Sequence, residues 1–173
     1  MKNILFILLA ITIVSCRHKD KTADLVIHNA TIYTGEQKAD LSLKKGQAMA
    51  ITDGKVVEVG PEREILNRYI ADEFIDAKLK FVYPMIYPMR DKSMLDTYFD
   101  LLTKDDEDIS NEEALIRLTR IKSKKLVEDD LRGALIPGLE ANFFITNADI
   151  TKVSYENKDK VRIKAKYKLG KKF

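Results

Sequence analysis

Histidine, the commonest metal ligand and the usual general base near neutral pH, occurs twice among the 173 residues, at His18 and His28. A catalytic zinc takes three protein ligands, drawn mainly from histidine and carboxylate. His18 lies in the polar stretch 17–22 and reads as solvated. His28 lies in the apolar run 25–33, where a surface or interlayer position in a strand is the reading and a ligand role the alternative. The densest acids, Asp105, Asp106, Glu107 and Asp108, could attract a hard cation. They lack the alternating oxygen ligands and the central glycine of a calcium loop, so a solvated acidic turn is expected there. The chain contains no Gly-x-Ser-x-Gly elbow, no phosphate-binding glycine loop and no His-Glu-x-x-His helix. No residue is assigned as catalytic, and none as a metal ligand.

The elements that would position any site are clearer. Met49, Ile51, Val57 and Val59 alternate with polar residues on either side of Asp53-Gly54, the dipeptide that suits the positive φ angles of a two-residue primed turn. Residues 25–33 form the first strand by the same patterning. Pro61, Glu62 and Glu64 open a short helix in which Ile65, Leu66 and Tyr69 share a face. Two short strands around a turn follow, at 74–77 and 80–84. The Tyr83-Pro84 and Tyr87-Pro88 pairs then favour an extended connector. Beyond it, Leu95, Tyr98, Phe99 and Leu102 make an amphipathic helical stripe. Ser110 and Glu113 match a capping box, opening a helix that runs to Lys125 and buries Ala114, Leu115, Leu118 and Ile121. Residues 161–170 alternate apolar with basic, as a half-buried strand does; their lysines read as edge protection or, alternatively, as contacts to anionic lipid head groups.

With 45% hydrophobic and 33% charged residues the composition is that of an ordinary globular chain. A net charge of +3, with both signs interspersed, does not indicate nucleic acid. The first residues read as an export signal: Met1-Lys2-Asn3 is a short basic region, and the apolar run 4–14 is too short to span a bilayer as a helix. It ends in Ile13, Val14, Ser15 and Cys16, and this cysteine is the only one in the chain. The pattern resembles the lipobox of bacterial lipoproteins, in which the cysteine is acylated and becomes the new N-terminus; an ordinary secretory signal with a chance cysteine is the alternative. Residues 1–15 are thus a signal peptide, 16–22 a tether and 23–173 the folded part. Arg17 follows Cys16 where an acidic residue would signal inner-membrane retention, so a lipid anchor in the outer membrane of the cell envelope is expected.

Two groups of segments resemble a known family. Residues 24–35, 48–60, 74–77 and 81–84 are similar, in order and spacing, to the start of the small β-sandwich domain of metal-dependent amidohydrolases, especially the family 3 branch. Ile109 to Thr119, with its Glu112-Glu113-Ala114-Leu115, and Gly133 to Thr146, with Pro137-Gly138 and Ala141-Asn142-Phe143-Phe144-Ile145, resemble the other end of such enzymes, including imidazolonepropionase-like relatives. In that family the two ends form one composite sandwich and the barrel between them carries zinc or another divalent metal.

The resemblance implies mixed β structure with helices: a small composite β-sandwich, two or three helices and a helical insert at about 92–127. A (β/α)8 barrel takes about 250 residues, and only 25 (85–109) separate Pro84 from Ser110. Where the family has its paired histidines, this chain reads Pro84-Met85-Ile86-Tyr87-Pro88-Met89-Arg90. The expectation is therefore a truncated amidohydrolase-like lipoprotein, inactive alone and without a cofactor of its own. Its relatives hydrolyse non-peptide carbon–nitrogen bonds. A membrane-tethered interaction module, or one subunit of a split amidohydrolase paired with a homologous partner, is the alternative. Without a barrel to cover them, parts of the 94–102 and 114–121 apolar stripes are expected to lie exposed.

Overall fold

The computed structural model of the chain describes residues 21–37, 43–86, 92–103, 109–121 and 132–173. Its frame is two long strands, β1 (Lys21–Gln37) and β5 (Tyr69–Pro84), paired in parallel. The hairpin of β3 (Ala48–Thr52) and β4 (Lys55–Gly60) adds to β1 on one side, and β2 (Leu43–Gly46) also pairs β1. On the other side β6 (Phe143–Thr146), β7 (Ile163–Lys168) and β8 (Lys171–Lys172) follow antiparallel. The result is one mixed eight-stranded sheet in the order β4-β3-β1-β5-β6-β7-β8, with β2 beside β1. It is a small sandwich-like domain and does not close into a barrel.

The bend that folds this sheet over its own core comes from matched irregularities. Asn29 in β1 and Lys78 and Leu79 in β5 adopt positive φ, and the register jumps between them, from His28↔Asp76 to Ala30↔Lys80. An extra residue in a strand reverses which side chains face the core. Leu25 and Ile27 point inward before the bulge, and Ala30 and Ile32 after it. The Asp76 carboxylate staples the two bulges together. It accepts from the Asn29 amide at 2.7 Å and from the Lys78 N–H at 2.7 Å, and the Lys78 bond leads in holding its pKa below the usual carboxylate range. The two short strands expected at 74–77 and 80–84 are therefore one bulged strand.

Inside the bend, Met49, Ile51, Val56, Val82, Leu135, Phe143 and Ile145 join the β1 residues in one core, where the Phe143 and Tyr167 rings stack with centroids 4.5 Å apart. Backbone bonds draw the two arms together: Val56 N–H to Leu139 O at 2.9 Å, Ala141 N–H to Gly54 O at 2.8 Å and Gly170 N–H to Ala141 O at 3.0 Å. The outer face of the first arm is covered by α1 (Glu62–Arg68), which buries Ile65 against Val26, Ala48 and Ala50. As expected from the sequence, Tyr69 is buried on the same side, although it opens β5 rather than closing the helix.

The β3–β4 turn is the primed one that Asp53-Gly54 implies, with φ of 51° and 72°. A Cβ on Gly54 would lie 2.9 Å from the Leu169 Cβ, against the second hairpin turn, Leu169-Gly170. Gly54→Ala combines left-handed strain with this clash, and is expected to cost about 2 kcal/mol. A matching drop in the urea midpoint at unchanged slope is the check.

The outer face of the second arm corrects an expectation. α2 (Met94–Leu102) and α3 (Asn111–Ile116), the latter continued by a π-helical turn (Arg117–Ile121), lie across it. Met94, Tyr98, Phe99, Ala114, Leu115 and Leu118 are all buried against Tyr33, Tyr83 and Phe144, with Ile150 and Val161 closing the cluster. Among the described apolar residues of the two stripes, only the margins Leu95, Leu101 and Leu102 are half-exposed. The described parts of the two stripes are covered because the helical segment folds back onto the sheet as its own lid. The helix expected to run to Lys125 is described as far as Ile121.

Candidate functional site

Beneath this helical lid lies the most concentrated polar chemistry of the described residues. The β1–β5 register pairs Ile32 with Val82, so the next residues, Tyr33 and Tyr83, emerge side by side, stacked 4.8 Å apart at 17°. Both hydroxyls point at Asp149, which caps the 3₁₀ turn Ile150–Lys152 by accepting from the Thr151 N–H. Tyr33 donates to Asp149 Oδ2 at 2.7 Å. Tyr83 donates to Oδ1 at 2.9 Å, where the Thr151 hydroxyl at 2.8 Å and the Thr151 N–H at 3.1 Å also donate. Tyr83 in turn accepts from the Ile150 N–H at 3.1 Å. Tyr98 of α2 reaches the Asn111 carbonyl at 3.2 Å and the Ile150 carbonyl at 3.4 Å, and the Asn111 side chain donates to Thr151 O at 2.5 Å.

Asp149 is only 8% exposed. Burial alone pushes its carboxyl up, but the bonds from Tyr33, Thr151 and Tyr83 outweigh that and hold it below the ordinary range. Burial, first of all, drives the hydroxyls of Tyr83, Tyr98 and Tyr33 well above the usual phenol range. The combination is a carboxylate that stays ionised and tyrosines that stay protonated at every ordinary pH. A general base needs a pKa near the working pH and reach to a substrate proton; Asp149 has neither. Three donors converge on Oδ1 and one on Oδ2, with the Lys152 ammonium 3.8 Å from Oδ2. What this site can do is fasten the 3₁₀ turn, and through Tyr98 and Asn111 the helical lid, to the two central strands.

His28 lies apart from this network. Its Nδ1 is 3.0 Å from Glu62 Oε1 of α1, half-buried, tying the helix to β1. Among the described residues, no group of three or more His, Cys, Asp or Glu side chains is placed to hold a metal ion. Among the described residues the donor set does not fit the divalent metal that the family resemblance implies: the described histidine, His28, is paired with Glu62, and the buried Asp149 carboxylate already accepts four hydrogen bonds. Ser110 caps α3 as expected, accepting from the Glu113 N–H at 3.1 Å; the Glu113 carboxylate turns to Arg117, at 2.8 Å, instead of returning the bond. Cys16, with Ile13, Val14 and Ser15, and the acids at 105–108 lie outside the described residues. The Tyr33–Tyr83–Asp149–Thr151 network was not anticipated. Its one local signal is Asp149-Ile150-Thr151, a capping spacing; the tyrosines stand 116 and 66 positions away from the aspartate.

Compared with known proteins, the chain matches no family model and no curated protein. Parts of it are similar to solved metal-dependent hydrolases. One is an uncharacterized metal-dependent hydrolase from Pyrococcus furiosus, at 26% identity over 45% of this chain and 16% of that one, with a TM-score of 0.28. Another is the L-hydantoinase (dihydropyrimidinase) from Arthrobacter aurescens, at 22% identity over 37% of this chain and 12% of that one, also with a TM-score of 0.28. The chain thus spans less than a fifth of either length, and likenesses this partial carry no functional argument.

Proposed function

We propose that this protein is a lipid-anchored domain of the bacterial cell envelope, built from the two ends of an amidohydrolase-like sandwich and without hydrolase activity of its own. The observation that carries the reading is the junction of those ends. Pro84, after which the resembling enzymes enter their barrel, pairs with Phe143, and Tyr83 with Phe144, as the two ends of one sandwich would, and the helices between them bury their apolar sides on that same face. A chain that closes its own core there has no need of a barrel to complete it. The anchor in this reading is Cys16, exposed by cleavage after Ile13-Val14-Ser15, and the expected location is the outer membrane.

The test is the N-terminus of the protein extracted from its membranes. A chain that starts at an acylated Cys16 supports the reading. A chain that starts elsewhere, or an unmodified Cys16, contradicts the anchor. Recovery in stoichiometric complex with a homologous amidohydrolase barrel would instead favour a subunit of a split enzyme.

A further inference from the structure

The end of the domain opposite the helical lid has a different character. Three pieces of chain meet there: the start of β1 at Asp24 and Leu25, the Asp53-Gly54 turn, and the Leu169-Gly170 turn with β8 behind it. Together they line an open groove with an apolar floor of Leu25, Ile51 and Leu169. Lys168, Lys171 and Lys172 stand along it, all exposed. Leu169 is 41% exposed and Phe173 71% exposed beside these lysines. Two exposed carboxylates, Asp24 and Asp53, also line the groove; the Asp24 carboxylate accepts the Asp53 N–H at 2.7 Å, and the three lysines outnumber the two acids. Lysines interspersed with exposed aromatic and aliphatic side chains suit an anionic bilayer surface, where the ammonium groups meet phosphates and the apolar groups enter the head-group layer.

Chain geometry selects the same occupant. Seven residues separate Cys16 from Asp24, and the eight Cα–Cα steps between the two extend at most about 29 Å. Tyr33, under the lid, lies nine residues further along β1, beyond the bulge at Asn29. An acyl group on Cys16 therefore brings the groove end, and not the lid, to the bilayer.

We infer that the end formed by the Asp53-Gly54 and Leu169-Gly170 turns rests on the anionic face of the membrane, with Lys168, Lys171 and Lys172 on lipid phosphates and Leu169 and Phe173 in the head-group layer. The orientation rests on the anchor proposed above; the lipid-binding surface does not, and the two fail separately. The first experiment uses the chain from residue 16 onward, without the signal peptide and with Cys16→Ser so that it cannot be acylated, with vesicles of phosphatidylcholine alone or mixed equally with phosphatidylglycerol. Lys171→Glu with Lys172→Glu is expected to reduce the preference for anionic vesicles at least roughly 30-fold, at about fivefold for each lysine near the surface. These side chains are exposed, so folding is not at issue.

A spin label on Leu169→Cys in that background is expected to become shielded from aqueous quencher on anionic vesicles only. A label on Tyr155→Cys, beside the lid, should stay accessible. An unchanged vesicle preference in the double variant overturns the inference. So does shielding of the Leu169→Cys label without vesicles, which would mean that a second copy covers the groove, and so does equal accessibility of both labels.

Discussion

Asp149→Ala is expected to destabilise the domain by about 4 kcal/mol, because it strands several buried donors at once, each worth about 1–3 kcal/mol when left unsatisfied. The Tyr83 hydroxyl and the Thr151 N–H lose their acceptor, and the Tyr33 and Thr151 hydroxyls keep only each other, 3.0 Å apart. Tyr83→Phe should cost less, about 2 kcal/mol, since it removes one bond to a charged acceptor and leaves the Ile150 N–H unpaired. Chemical denaturation of the three proteins provides the ranking. Asp149 also sets an acid limb. Its pKa is lowered on folding, so its contribution is fully present above the unfolded carboxylate value of about 3.9 and is lost as pH falls through the folded value. The stability of Asp149→Asn should therefore depend less on pH below about 4 than that of the parent. An Asp149→Ala protein as stable as the parent would show that the network fastens nothing.

Phe99→Ala should cost about 3–5 kcal/mol, the usual range for emptying a buried phenylalanine site. Phe99 is fully buried and meets Tyr98 edge-on, with centroids 5.2 Å apart. The substitution opens a cavity between the lid and the Tyr33–Tyr83–Phe144 wall. Had the stripe been left open by a missing barrel, the same change would be nearly neutral. Hydrogen exchange supplies the independent readout: the α2 and α3 amides of the monomer should open only with the whole domain, and in Phe99→Ala they should open first.

Local patterns carry far in this chain, and long-range geometry does not. The β3–β4 hairpin is legible because alternation and Asp53-Gly54 agree, α1 because its first-turn residues and apolar spacing agree, α2 by its apolar spacing alone, and the start of α3 because its Ser110 cap and apolar spacing agree. The single β5 strand is hidden because Asp76, Lys78 and Leu79 look like a turn; only a partner bulge at Asn29 turns that irregularity into a bend within one strand. The fate of the lid helices is equally invisible locally. Their stripes announce that something must cover them, yet the covering surface, Tyr33, Tyr83 and Phe144, comes from three distant strands. The Asp149 network needs the same strands in register before its capping spacing acquires a meaning. In β7 the lysine alternation is read correctly; the two-residue β8 pairs only Tyr167 and Lys168 at its end and adds Lys171 and Lys172 to that edge.

The account turns on the claim that this domain is complete and non-catalytic without a barrel. The measurement that bears on it most directly is native mass together with bound-metal content of the protein extracted from its membranes in mild detergent. A monomer with no stoichiometric divalent metal is the predicted result. A complex carrying stoichiometric zinc or another divalent ion would contradict it, and would place the catalytic barrel in a partner.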